Sequence, residues 1–286
     1  MRSIFLAASQ SRWLRERAPR YWFVRRTVSR FMPGENLEDA LRAAGELKKQ
    51  SIATVFTQLG ENIKDSSQAA AAAEHYLHAL ERSRGLRLGA EMSVKLTQLG
   101  LDLSPETCYS NLARVVENAG NQSVVWIDME ASNYVDVTLD IYRRARRAYP
   151  NVGVCLQAYL YRTANDLAVL MPLGAAIRLV KGAYDEPPSR AFPKKKAVDE
   201  NYFTLASQLI SDSARRQGVR AAIATHDRRL INRIIALSES NGDFSNPFEF
   251  QMLYGIQRGE QLRLVREDRR LRVLISYGNF WFPWFM

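Results

Sequence analysis

Lys95, Asp128, Gln157, Lys181, the pair Thr225 and His226, and Gln251 each stand at or just past the end of a short apolar run. The set is cationic and amide-rich. It suits a ligand that is anionic or richly oxygenated: a carboxylate, a phosphate, or a flavin ring with its hydrogen-bonding edge. Other chemistries lack their parts. His75 and His78 sit three apart on an Ala-rich stretch without a third ligand, which reads as a solvated helix face rather than a metal site. Neither GxSxG nor a Cys/His pair suited to nucleophilic catalysis occurs. Taken singly, each residue also has a structural role: Lys181 can snorkel from a strand end, Asp128 can cap a loop, and His226 can be a satisfied rim histidine beside Asp227. Converging on one face, such charges need a ligand or a counter-charge, because unpaired charge in a partly dry site is costly to desolvate.

The runs that end on these residues include VVWIDMEAS (124–132), VCLQAYLYR (154–162), IRLVKGAY (177–184), IATHD (223–227) and FEFQML (248–253). A near-continuous Val/Ile/Leu-rich run reads as a parallel strand buried on both faces. Strands are expected near 51–57, 87–94, 123–128, 152–158, 175–181, 219–224, 248–252 and 271–275. Helical spacing fills 66–84, which opens on Ser, and 199–217, 228–240 and 258–268. Alternation of this kind predicts an α/β fold of the (β/α)₈, TIM-barrel type, whose site lies at the carboxyl ends of the strands. A doubly wound open sheet is the runner-up; its usual GxGxxG turn is absent from the sequence. In KGAY, Gly182 and Ala183 leave room for a planar group to approach the backbone.

With 286 residues and 47% hydrophobic content, the chain can bury one large core. Cys108 and Cys155 show no CxxC or zinc spacing and read as reduced thiols of a cytoplasmic protein, with Cys155 inside the fourth strand. No apolar stretch approaches the roughly 20 residues that span a bilayer, and IFLAA (4–8) is too short for a secretory core. Of the net charge of +10, the first 30 residues hold +7, as eight arginines against Glu16 alone. Trp13, Tyr21, Trp22 and Phe23 interleave with those arginines. The expected organisation is a helical, basic, aromatic arm over 1–35 and a barrel over 36–286. The arm either packs its aromatics on the barrel or attaches peripherally to the anionic inner face of the cell membrane. Nucleic acid is not expected, since elsewhere acids largely balance the bases and no recognition motif appears.

MSVKLTQLGL (92–101), IDMEAS (127–132), LQAYLYRT (156–163), IRLVKGAYDE (177–186), ATHD (224–227) and FEFQMLYG (248–255) together resemble the strand-end motifs of the proline dehydrogenase family, in its order and spacing. The resemblance runs from about residue 40 to the C-terminus. It implies a distorted (β/α)₈ barrel of the monofunctional bacterial type. That enzyme binds FAD, oxidises L-proline to 1-pyrroline-5-carboxylate by hydride transfer to flavin N5, and passes electrons to a quinone, the first step of proline degradation to glutamate. The resemblance implies Asp128 and Arg178 as catalytic residues, with Arg178 near N5. It implies Lys95 on the substrate carboxylate, and Tyr184 and Leu253 around the proline ring. Met129, Gln157, Lys181, Gly182, Ala183, Thr225 and His226 would line the FAD, and no metal takes part.

The chain departs from the family at its end. VLISYG (273–278) puts Leu274 where the family has an aromatic hydroxyl and Ser276 where it has proline, and Trp284 replaces a tyrosine. WFPWFM (281–286) ends where the family continues into a carboxylate-gripping Arg-Arg pair and a final helix, so the sequence reads as a barrel lacking that helix. A flavin-binding pseudoenzyme or a truncated, inactive fragment is therefore the alternative expectation. A Schiff-base lyase using Lys181 or Lys95 is a third.

Overall fold

The apolar runs fold as eight parallel strands: β1 (Ala53–Gln58), β2 (Glu91–Val94), β3 (Val125–Ile127), β4 (Val152–Gln157), β5 (Ala176–Val180), β6 (Arg220–Ala224), β7 (Glu249–Leu253) and β8 (Leu271–Tyr277). The structure, a computed structural model, describes residues 28–60, 63, 65–240 and 248–281. Hydrogen-bonded in sequence order, the strands close into a barrel. The seam between β8 and β1 runs in register from Ala53 opposite Arg272 to Gln58 opposite Tyr277. The expected barrel is the observed fold, and the open sheet is excluded.

Around the strands lie α1 (Leu37–Lys48), α2 (Ser66–Gly85), α3 (Pro105–Ala119), α4 (Val135–Ala148), α5 (Thr163–Leu170), α6 (Lys195–Leu209), α7 (Asp212–Arg216), α8 (Arg228–Ser240) and α9 (Arg258–Arg266). Capping explains several boundaries. Asp65, rather than the serine after it, starts α2 by accepting from Gln68 N at 3.0 Å. The single helix expected over 199–217 is two, because Ser211 is extended and its hydroxyl accepts from Ala214 N at 3.2 Å, restarting the helix. His75 corrects the expectation of a solvated face: it is half-buried, with Nε2 2.8 Å from the hydroxyl of Tyr277 at the end of β8.

The outer flank of the seam is covered from the N-terminal side. α1, capped by Asn36, lies against β1 and β8 and buries Leu37, Ala40, Leu41, Ala44 and Leu47. Trp281 Nε1 donates to Glu35 Oε1 at 3.0 Å, joining the chain after β8 to the start of α1. Just before α1, Val28 and Met32 are buried. The Arg30 carbonyl crosses Gly255 so closely that a Cβ there would lie 1.5 Å from it. Trp13, Tyr21, Trp22, Phe23 and Trp284 lie outside the described residues.

Strand residues alternate between two environments. Outward side chains such as Phe56, Met92, Ile127, Val154, Leu179 and Ile275 join the helices in the main core. Inward, Val55, Trp126, Ala176 and Ala222 with Leu274 form a small apolar plug. Gly153 on β4 makes space for the indole, since a Cβ there would lie 2.6 Å from Trp126 Cε3. Towards the amino ends of the strands the barrel holds Glu91, Arg220, Glu249 and Arg272, joined by contacts of 2.7 to 3.3 Å. Burial pushes the Cys108 and Cys155 thiols up to about 12, which makes both poor nucleophiles.

Candidate active site

Arg178 lies mid-strand on β5 and is 3% exposed. Three neighbours fix its guanidinium. Nε donates to Gln251 Oε1 at 2.7 Å, and Nη1 donates to Ser93 Oγ at 2.7 Å and Asp128 Oδ1 at 2.8 Å. The Trp126 ring lies beneath it, 4.8 Å from Cζ to centroid, a cation–π distance. Nη2 is buried and has no hydrogen-bond partner among the described residues. A charged donor is rarely left that way in a protein interior, so the pinned arginine keeps one buried edge whose hydrogen-bonding capacity is unused.

Asp128 follows β3 and accepts from Ser93 Oγ at 2.8 Å as well as from Arg178. Beside it, Glu130 accepts from both the backbone N and the hydroxyl of Thr97, which ties the loop after β2, and hence Lys95, to the loop after β3. Burial pushes the Glu130 carboxyl above its ordinary range, while Thr97 and the nearby Lys95 charge pull the other way. Gln157 closes β4. Its Nε2 donates to the Met129 carbonyl at 3.0 Å, and its buried Oε1 lacks a partner among the described residues.

Lys181 follows β5 and has the counter-charge that converging cations were expected to need. Its Nζ donates to Asp199 on α6 at 2.5 Å and to Asp227 at 2.8 Å, and Lys195 joins the cluster. Hydrogen bonding to Lys181 holds Asp227 down at about 2, against the opposing effect of burial. An amine held by two carboxylates is poorly placed as the nucleophile of a Schiff-base lyase. Thr225 Oγ1 accepts from Asp227 N at 3.1 Å. His226 Nε2 accepts from Leu253 N at 2.9 Å, so its ring proton sits on Nδ1, and burial lowers its pKa. Gly182 has φ +116°, and a Cβ there would lie 2.3 Å from the Tyr159 ring. Ala183 and Tyr184 continue this loop across the rim.

Every site residue read from the sequence thus lies at the carboxyl end of the barrel, with Arg178 one layer deeper. The unpartnered donor on Arg178 and acceptor on Gln157 match a planar heteroaromatic edge that offers both acceptors and an N–H. The space that a side chain on Gly182 would take is filled by the Tyr159 ring, so the glycine lets this loop close on Tyr159. A flavin therefore fits the residues present. Among the described residues no group of three or more His, Cys, Asp or Glu side chains is arranged to hold a metal. Sequence reasoning missed Ser93, Trp126, Glu130 and Asp199, and gave Gln251 no role. Ser93, Trp126 and Gln251 precede Lys95, Asp128 and Leu253 by two positions on their strands, so period-2 spacing was the available signal.

A family model described as proline dehydrogenase matches residues 40–281. "Proline dehydrogenase 2" of Bacillus subtilis (strain 168) is 35% identical over 286 residues, covering 100% of this chain and 92% of that protein. "Proline dehydrogenase" of Deinococcus radiodurans is 34% identical over 264 residues, 90% of this chain and 84% of that one. The crystal structure of proline utilization A from Bdellovibrio bacteriovorus, inactivated by N-propargylglycine, shares the fold with a TM-score of 0.80 at 22% identity, over 89% of this chain and 31% of that one. With relatives matched along its whole length and the family's motifs at the mouth of its barrel, the chain belongs to the proline dehydrogenase family.

Proposed function

We propose that this protein oxidises L-proline to 1-pyrroline-5-carboxylate with FAD bound across the barrel mouth. The observation that supports this most directly is the guanidinium of Arg178, pinned by three neighbours with its buried Nη2 left without a partner among the described residues. Bound FAD supplies the acceptor for the two electrons and the hydrogen that leave proline C5. Around that centre the protein's own groups bind and orient. Lys95 gives the substrate carboxylate a point charge, and Tyr184 and Leu253 pack against its ring. Arg178 aims two N–H donors where negative charge develops, already fixed and so without reorganisation during the reaction. Asp128 balances that cation without occupying its unpartnered edge. Gln157 Oε1 accepts an N–H from the ring edge, Met129 and Ala183 line it, and Gly182, packed on Tyr159, shapes the loop beside it. Lys181, Thr225 and His226 hold the remainder of the cofactor. The ring nitrogen gives up its ammonium proton first, so that its lone pair forms the C5–N double bond as the hydride leaves.

Electrons then pass to a quinone. The basic, aromatic arm within residues 1–35 suits peripheral contact with an anionic membrane on the cytoplasmic side. No helix among the described residues is long and apolar enough to cross a membrane. The purified chain is expected to be yellow and to release FAD on denaturation, and L-proline should bleach it anaerobically. Bleaching absent from a folded, FAD-loaded protein would favour a flavin-binding pseudoenzyme. A folded protein that takes up no FAD would refute the reading altogether.

A further inference from the structure

The charged floor of the barrel connects to Arg178 through two side chains, Gln251 and Trp126. Gln251, on β7 and 3% exposed, accepts from Arg178 Nε through Oε1 and donates to Glu249 Oε1 through Nε2, both at 2.7 Å. Its amide orientation is therefore fixed: the oxygen must face the guanidinium because the nitrogen must face the carboxylate. Glu249 is itself immobilised. Burial opposes its charge, but Arg272 and Arg220 hold its carboxyl below the ordinary range. Arg272 Nε lies 3.0 Å from Glu249 and 3.2 Å from Glu91, and Glu91 accepts from Trp126 Nε1 at 2.6 Å. Trp126 returns to the site by stacking between Arg178 and Arg220. The floor thus contacts Arg178 twice, through Gln251 along the edge of the guanidinium and through Trp126 on its face.

We infer that Gln251 is a positioning residue for flavin reduction: braced by Glu249, it sets the rotation of the Arg178 guanidinium so that Nη2 is the donor left without a protein partner among the described residues and kept for the cofactor. The inference rests on Arg178 facing bound FAD. Ser93 and Asp128 both engage Nη1, and they alone leave the group free to pivot about that nitrogen. The bond at Nε stops the pivot. A neutral amide accepts from the arginine without adding a second negative charge to the one that Asp128 already supplies.

The test uses the full chain loaded with FAD. Gln251→Met keeps the volume and removes both bonds. The rate of anaerobic flavin reduction at saturating proline should fall at least tenfold while the proline KM stays within twofold. Flavin reduction should also become about tenfold less favourable, about 30 mV in midpoint potential for a two-electron couple. Gln251→Glu keeps an acceptor for Nε and places a carboxylate against the guanidinium; it should lower the potential at least as far, and it carries the test if the Met variant does not fold. Arg178→Lys is the control. If Arg178→Lys lowers the potential and neither Gln251 variant does, the inference is wrong and the proposed site stands. If none of the three moves it in an FAD-loaded protein, Arg178 does not face the flavin and both readings fall.

Discussion

Asp128→Asn tests whether the carboxylate or merely the acceptor holds Arg178. Asn retains the shape of Asp and an oxygen able to accept from Nη1 and from Ser93 Oγ, both at 2.8 Å in the native site. It therefore removes charge and little else. The guanidinium that loses its counter-ion is 3% exposed, and the Asp128 side chain is 23% exposed, so water screens the pair poorly. Removing one partner of a buried ion pair costs about 3–5 kcal/mol. Retention of the hydrogen bond by Asn should bring the loss to about 2 kcal/mol, which at about 2–4 °C per kcal/mol lowers Tm by about 4–8 °C. Asp128→Ala, which also strands the Ser93 hydroxyl, should cost the full 3–5 kcal/mol. Thermal unfolding of cofactor-stripped protein measures both. In the FAD-loaded protein Asp128→Asn should raise the flavin potential, because an anion leaves the field of the ring. A melting temperature unchanged in Asp128→Asn, or a milder effect in Asp128→Ala, would show that Ser93 and Gln251 suffice to hold Arg178.

Gly182→Ala should destabilise the chain by about 1–3 kcal/mol and weaken FAD binding at least tenfold, because its Cβ meets the Tyr159 ring at a backbone φ of +116°; titration of stripped protein with FAD reads the second effect. Lys181→Met leaves Asp199 and Asp227 facing each other with the exposed Lys195 as their shared partner. It should lower stability at pH 7 by about 1–3 kcal/mol. Asp227 titrates near 2 when folded against 3.8 ordinarily, so its contribution is present above pH 3.8 and lost as pH falls towards 2. Acid denaturation of the Met variant should lack that part of the slope. His226 has the opposite titration chemistry and the same direction of loss: its folded pKa lies below 6.5, so stability is full above pH 6.5 and falls as pH drops through the folded value. His226→Ala should flatten the Tm profile in that window, and an unchanged profile would show that burial does not hold the His226 pKa below its ordinary value.

Strand positions were legible because a strand covered by helices outside and packed inside must be apolar almost throughout, as VCLQ and IRLV are. Boundaries set by a single hydrogen bond were not. Ser211 looks like any helical serine until the chain turns extended and its hydroxyl finds Ala214 N. α1 was equally obscure, since its place depends on which flank of the closed barrel remained uncovered, a property of the assembled sheet and not of residues 37–48.

The site shows the same division. Polar residues that end apolar runs, such as Asp128 and Gln157, stand out against their neighbours, whereas Glu91, Ser93 and Glu249 sit inside the runs and look like exceptions to them. They become intelligible once the barrel gives each strand an inner face. Along β7, Glu249, Gln251 and Leu253 point inward in turn, and along β2 Glu91, Ser93 and Lys95 follow the same alternation. The inner face is therefore layered: a floor of opposed charges, a middle layer that grips Arg178, and a rim suited to touching ligands. Lys181 illustrates what no such pattern shows. Its partners come from α6 and from the loop after β6, far away in sequence. A cation that looked isolated already has two carboxylate partners. It ties the rim loops together around whatever the mouth binds.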